Sequence, residues 1–249
     1  EEREAVKYEH LLALARSLPK IRRRTARDLS LPGLPREKVL ATVVNLLERT
    51  LIRIGNPEYA RENGSFGLTT LRDRHVAVAG GELRFHFIGK SGKERRLAIS
   101  DRRIARVVRA CQSLPGQQLF QYLDENGARA GISSADVNEY LRKITGEEIT
   151  AKDFRTWGGT MMAAAALRIL PPFDTKTQAK RNMNVAIKTV ARELGNTPAV
   201  CRRCYIHPHI IASYGDGGFA EELRKDALRK GFLRALRSEE AAVMALLAT

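Results

Sequence analysis

The decapeptide at 200–209, VCRRCYIHPH, crowds two thiols, two imidazoles, two guanidinium groups and a phenol into one short stretch. Three chemistries are open to it. Cys201, Cys204, His207 and His209 are four potential zinc ligands, but the two pairs lie only a few residues apart, whereas structural zinc sites usually close a loop of about a dozen residues between pairs. Cys201 and Cys204 also form a Cys-x-x-Cys, a redox motif when it sits in a thioredoxin-like βαβ setting. Such a setting is not evident around it. Third, Tyr205 beside Arg202 and Arg203 has the make-up of a nucleophile with cations at hand, although tyrosine is also an ordinary core residue.

Composition narrows the partner. The chain has 249 residues with 43 Lys and Arg against 28 Asp and Glu, a formal charge of +15. That excess points to a polyanion, nucleic acid first and an anionic membrane surface second. The length suits one large domain or two small ones. No run approaches the ~20 apolar residues of a membrane-spanning helix, and the start EEREAVKYEH lacks the basic and apolar regions of a signal peptide. The expectation is a soluble, cytoplasmic protein. Three cysteines do not make the framework of a disulfide-stapled domain.

The elements that must position these groups are mostly helical. A helix is expected from Arg3 to Leu18, ended by Pro19, with KIRRRTARD after it as a solvated loop or a phosphate contact. A second begins near Arg36, with Leu40, Val44, Leu47, Leu51 and Ile54 on one stripe and Gly55 as its stop; Arg53 then falls on the opposite face. HVAVAGGELRFHFIGKSGKERRLAI switches to alternation and predicts a three-stranded meander, 75–79, 83–88 and 94–99, turning at Gly80-Gly81 and at GKSG, with Lys90 at the second tip. Further helices are expected near 101–114, 134–145, 151–169, 176–194, 198–206, 208–214 and 219–248, the last broken around Gly231 or Ser238.

Two helix ends bear on chemistry. Thr150-Ala151-Lys152-Asp153 has the form of a capping box, which puts Arg155 in the first turn of a helix, either as part of an anion site or as a surface residue. Gly158, Gly159 and the alanines 163–166 behind it allow another backbone to pack closely. Thr197-Pro198 reads as an N-cap and first helical residue, leaving Asn196 in the corner after Gly195, a turn residue on local grounds.

Taken in order, Arg53-Ile54-Gly55 with Tyr59 and Gly67-Leu-Thr-Thr-Leu71, Ile88-Gly89-Lys90 on a hairpin, Lys152-Asp153-Phe154-Arg155-Thr156, Gly195-Asn196-Thr197-Pro198 and Arg203-Cys204-Tyr205 resemble the catalytic domain of type IB DNA topoisomerases of the poxvirus-like and bacterial kind. The resemblance covers roughly 36–215. It implies a mainly α (α+β) protein with the helical tyrosine recombinase/topoisomerase IB catalytic fold and one small three-stranded antiparallel sheet. It also implies that Tyr205 attacks a phosphodiester to form a 3′-phosphotyrosine, that Arg53 and Arg155 hold the phosphate, and that Lys90, preferred to Lys93 because it follows Ile-Gly, protonates the 5′-oxygen. Asn196 stands where many relatives have histidine; its amide donates a hydrogen bond but carries no charge. Asn56, Tyr59, Lys152, Arg202 and Arg203 are the implied DNA contacts.

On this reading the chain is a DNA-relaxing isomerase acting as a monomer on double-stranded DNA at the nucleoid, with no metal, ATP or other cofactor. Residues 1–249 form one catalytic domain: a helical part to about 66, the sheet at about 67–100, a helical catalytic part at about 101–215 and C-terminal helices from about 216. The small β-rich N-terminal domain usual in relatives is not seen. Two alternatives stay open: a tyrosine site-specific recombinase, whose second arginine motif is normally H-x-x-R where this chain has Lys152-Asp153-Phe154-Arg155, and a basic DNA-binding domain without activity.

Overall fold

A computed structural model describes residues 2–221 and 236–247. The chain forms two compact units, Lys20–Lys152 on the one hand and Glu1–Pro19 with Asp153–Thr249 on the other. Helix α1, Glu2–Asp28, contains Pro19 in its interior. The expected stop at Pro19 therefore does not occur, because burial of Leu14, Ala15, Leu18 and Ile21 on either side of it outweighs the missing N–H. KIRRRTARD is correspondingly helix rather than loop: two nitrogens of Arg22 hold one Glu48 oxygen, and Arg24 and the Tyr140 hydroxyl both donate to the buried Asp28. Burial and that carboxylate push the Tyr140 phenol well above its ordinary pKa.

Helix α2, Arg36–Thr50, buries Val39, Leu40, Val43, Val44, Leu46 and Leu47 completely. It stops short of Gly55, since Leu51 turns left-handed (φ 52°) and its N–H closes onto the Leu47 carbonyl. Arg53 thus lies on an extended link, not on a helix face. Asn56 then caps helix α3, Pro57–Asn63, its Oδ1 accepting the Tyr59 N–H. This helix was not expected, although Asn-Pro is an N-cap followed by a first-turn proline.

The meander is as the alternation indicates. Strands β1 (Val76–Ala79), β2 (Glu82–Ile88) and β3 (Glu94–Ser100) pair antiparallel in the order β1-β2-β3, with Phe85 opposite both Val76 and Leu97. Leu83, Phe85 and Phe87 point inward while Arg84, His86 and Ile88 are exposed. Helix α4, Arg102–Gln112, packs on β1, β2 and α2. A short hairpin, β4 (Gln121–Leu123) with β5 (Arg129–Gly131), was missed; strands of three residues carry too little alternation to read. Helix α5, Ser134–Thr145, packs on α2 and opens with a capping box between Ser133 and Asp136.

In the other unit, α6 (Ala151–Ile169), α7 (Lys176–Leu194), α8 (Pro198–Cys204), α9 (Pro208–Gly215) and α10 (Ser238–Leu247) follow one another. Phe154, Ala163, Leu167, Ala186, Val190, Leu194, Cys201, Ile206 and Ile210 are buried there. Ser238 begins a helix, as one of the two expected breaks requires; Gly231 lies outside the described residues. Among the described residues no helix is long and apolar enough to cross a membrane.

Candidate active site

Arg53 is half-buried on the link after α2, and its position is set by the backbone. Its carbonyl accepts from the Leu68 N–H at 2.8 Å, and the Ile54 carbonyl accepts from both the Thr69 N–H and hydroxyl at 2.7 and 2.9 Å. A Cβ on Gly67 would overlap the main chain of Arg53 and Gly55. Gly55 itself has φ 101°, so the two glycines allow the link and the Gly67–Leu71 turn to touch backbone to backbone. One residue before Gly67, the Phe66 N–H donates to the Ile88 carbonyl at 2.7 Å. Three main-chain bonds therefore tie the Arg53 link, through residues 66–69, to the end of β2, where Lys90 begins the turn.

That turn, Lys90–Gly92, is tight: Ser91 has φ 63° and Gly92 φ 70°, and the Gly89 N–H closes onto the Lys93 carbonyl at 2.8 Å. Lys90 and Lys93 are both exposed. Asn56 and Tyr59 are exposed nearby in sequence on α3, and Lys152 is exposed at the start of α6. The first amide of α6, on Ala151, donates to the Asn138 side chain at 3.0 Å.

Arg155, Asn196 and Tyr205 belong to the other unit. Arg155 is 3% exposed, so it is no surface residue. Its Nη2 donates to the Leu194 carbonyl at 3.0 Å, one of the carbonyls a helix C-terminus leaves without an intrahelical donor. Its guanidinium carbon lies 5.1 Å from the centre of the Tyr205 ring, within the range of a cation–π contact. Asn196 follows that helix end: Gly195 is left-handed (φ 64°) and the Asn196 N–H folds back to the Ala191 carbonyl at 2.9 Å. Arg155 thus touches the tyrosine and the corner that carries Asn196 at once.

Tyr205 ends α8, half-buried, with its N–H on the Cys201 carbonyl at 2.9 Å. Helix α6 passes so close that a Cβ on Gly159 would overlap the Tyr205 carbonyl oxygen. The next residue, Thr160, accepts the His207 N–H at 3.1 Å. The Gly158-Gly159 pair signals such an approach in the sequence; Thr160 gives no signal there. Arg202 and Arg203 are exposed on α8. Cys201 is fully buried and Cys204 half-buried, and neither forms a disulfide; the His207 ring accepts the His209 N–H. Among the described residues no three His, Cys, Asp or Glu side chains converge as a metal centre needs.

The chain matches the family described as eukaryotic DNA topoisomerase I, catalytic core, over residues 1–229. It belongs to the type IB DNA topoisomerases. The DNA topoisomerase 1B of Acanthamoeba polyphaga mimivirus is 31% identical over 244 residues, covering 94% of this chain and 72% of that protein. The DNA topoisomerase I of monkeypox virus is 26% identical over 184 residues, and the DNA topoisomerase 1B of vaccinia virus (strain Western Reserve) 25% over 181. Each of those two alignments covers 70% of this chain and 53% of the relative, so the chain spans about half the length of the poxvirus proteins. These relatives are viral; they support the poxvirus-like half of the expected kinship and not the bacterial half. In this topoisomerase the expected residues thus fall into two groups, Arg53 with Lys90 and Arg155 with Asn196 and Tyr205.

Proposed function

We propose that this type IB topoisomerase relaxes supercoiled DNA by cutting one strand, letting it rotate and resealing it. The Tyr205 oxygen attacks the scissile phosphorus, forming a 3′-phosphotyrosine and releasing the 5′-oxygen, which Lys90 protonates. Arg53 and Arg155 hold the non-bridging oxygens, for which a planar guanidinium is suited because it meets two oxygens at once. The Asn196 amide adds one uncharged hydrogen bond. Religation is the reverse, with the 5′-hydroxyl displacing the tyrosine. The phosphotyrosyl bond keeps the energy of the phosphodiester, so ATP is not needed, and the arginines stabilise the developing charge where other enzymes use a metal ion.

The observation that carries this reading is Arg155: a buried guanidinium placed against the Tyr205 ring and the Asn196 corner. A planar guanidinium held beside the nucleophile is placed to grip a phosphate there. The two units together are read as one catalytic domain working as a monomer on duplex DNA in the cytoplasm, at the nucleoid, with Asn56, Tyr59, Lys152, Arg202 and Arg203 touching the duplex. The test is relaxation of plasmid of either supercoil sign in EDTA without ATP. Relaxation of both signs, lost in Tyr205→Phe with DNA binding retained, is the expected result. Activity surviving that substitution, or requiring added zinc, overturns it.

A further inference from the structure

The phosphoryl transfer uses neither thiol of the 200–209 stretch, yet both stand on α8 (Pro198–Cys204) directly before the nucleophile. Three residues apart on a helix, Cys201 and Cys204 share a face. Helical geometry puts their Cα atoms about 5 Å apart and their Cβ atoms ~5–6 Å apart. A disulfide accepts the first spacing but needs a Cβ separation of roughly 3.5–4.5 Å. Joining the two sulfurs therefore takes a movement of about 1–2 Å.

The packing decides which end moves. Cys201 is fully buried, its N–H donates to the Thr197 carbonyl at 2.9 Å, and its carbonyl accepts the Tyr205 N–H at 2.9 Å. Cys204 is half-buried and is the last helical residue; Tyr205 after it has left the helix, at φ −130° and ψ 0°. Cys204 is thus the end that yields, and Tyr205 is one peptide bond away from it. Tyr205 has little room to absorb the shift. Its carbonyl already lies against Gly159, and its ring is 5.1 Å from the Arg155 guanidinium carbon, near the ~6 Å at which such a contact fades.

Exposure also decides where oxidation starts, since peroxides attack the accessible thiol first and a neighbouring cysteine then resolves the product. Cys204 is the accessible thiol and Cys201 the neighbour. The third cysteine, Cys111, is fully buried in the other unit, and burial pushes its thiol up to about 12. It stays protonated and unreactive.

We propose that Cys204 is a site of reversible oxidation by hydroperoxides, resolved by Cys201 to a disulfide within α8 that draws Tyr205 away from Arg155 and stops DNA cleavage. The Cys204 sulfur attacks hydrogen peroxide, the O–O bond breaks, and a sulfenic acid and one water form. The Cys201 sulfur then attacks the Cys204 sulfur, the S–OH bond breaks, and the disulfide and a second water form. The two thiols give up two electrons and two protons, all of which end in water. Because the bond closes only against the helix geometry, a dithiol reductant reopens it readily.

The inference rests on the topoisomerase reading for its consequence, so the test reads the bond and the activity separately. The protein is treated with hydrogen peroxide, its remaining thiols are alkylated, and it is digested with trypsin, which cuts after Arg202 and Arg203 and so separates the two cysteines. The expected result is a pair of peptides joined only through Cys201 and Cys204, with single-turnover cleavage of a short duplex slowed roughly 100-fold. Dithiothreitol is expected to part the peptides and restore the rate. Cys204→Ser should cleave at the parent's rate and keep that rate in peroxide. No joined pair, or a joined pair with the rate unchanged, overturns the proposal, as does equal inactivation of Cys204→Ser, which would assign the loss to oxidation elsewhere. If Cys204→Ser is impaired before any peroxide is added, the parent decides alone: a rate loss that tracks the joined pair and reverses with it upholds the switch, and one that does not reverse overturns it. Reduced parent protein that cleaves no DNA refutes the topoisomerase reading and the switch with it, while the peptides still establish or exclude the oxidation site.

Discussion

The main-chain carbonyl of Tyr205 stands where any side chain on Gly159 would have to go. The obstacle is backbone, not a flexible side-chain tip, so it cannot move aside by changing rotamer. Helix α6 therefore sets the place of Tyr205 through an atom that Gly159 lacks, while Thr160 holds the N–H of His207 just beyond it. Gly159→Ala is expected to push Tyr205 away and to slow DNA cleavage by roughly 100-fold, the scale of an ångström-level displacement of a reacting group. Single-turnover cleavage of a short duplex measures it, with DNA affinity held constant as the control. A normal rate would mean that α8 yields without moving the phenol.

Arg155 makes two contacts of different kinds, and substitutions separate them. Arg155→Lys keeps a charge but loses the planar fork that spans the Leu194 carbonyl and the Tyr205 ring. We expect a fall of about 100- to 1000-fold in cleavage rate, comparable to losing one preorganised donor. Arg155→Ala adds the unsatisfied Leu194 carbonyl and a cavity, so its melting temperature should fall as well. Equal rates for the lysine variant and the parent would show that charge alone matters at this position.

Asn196 cannot titrate, which makes its replacement informative in one direction. Asn196→His introduces a group that ionises near pH ~6.5 when unperturbed. The variant should be faster than the parent below that pH and approach it above, adding an inflection to the pH–rate profile. A parallel pair of profiles would place Asn196 away from the charge that develops in the reaction.

His75 is 7% exposed, its Nδ1 accepts the Arg72 N–H at 3.1 Å, and its ring lies 4.4 Å from that of Phe66. Burial, then the charges of Arg74 and Arg72, hold its pKa below the usual value. The unfolded chain consequently takes up the proton first on acidification. Stability is complete above about pH 6.5 and declines as pH falls below it. Phe66 belongs to the main-chain relay between Arg53 and Lys90, so acid loosening reaches that half of the site. Thermal unfolding from pH 7.5 to 5.5 should show a drop in the parent that is smaller in His75→Asn, whose side-chain oxygen can still accept the Arg72 N–H. Equal drops would assign the acid sensitivity to other groups.

Local pattern made much of this protein legible. Alternation with Gly80-Gly81 and GKSG marked the meander, Thr197-Pro198 marked the start of α8, and helices expected near 134–145 and 176–194 match α5 and α7, because turn chemistry and periodicity act over a few neighbours. Where one residue departed from its usual conformation the reading failed. Leu51 takes a left-handed angle that a leucine normally avoids, so α2 ends early and Arg53 leaves the helix; Pro19 sits inside α1 because the residues around it are buried.

The residue types and their order determined the chemistry on offer: a phenol, two arginines, a lysine on a hairpin tip and an amide, in a basic chain. Which of them meet was decided only by tertiary structure. Arg155 reads locally as a capping or surface arginine and is instead buried against a tyrosine fifty residues later, since α6 approaches α8 as closely as Gly159 permits and the end of α7 offers it a carbonyl. The same holds for the Arg53 link, where Gly55 and Gly67 have meaning only once their backbones touch. Sequence separation hides such contacts, because their free energy comes from packing and desolvation between segments and not from any preference of the residues themselves.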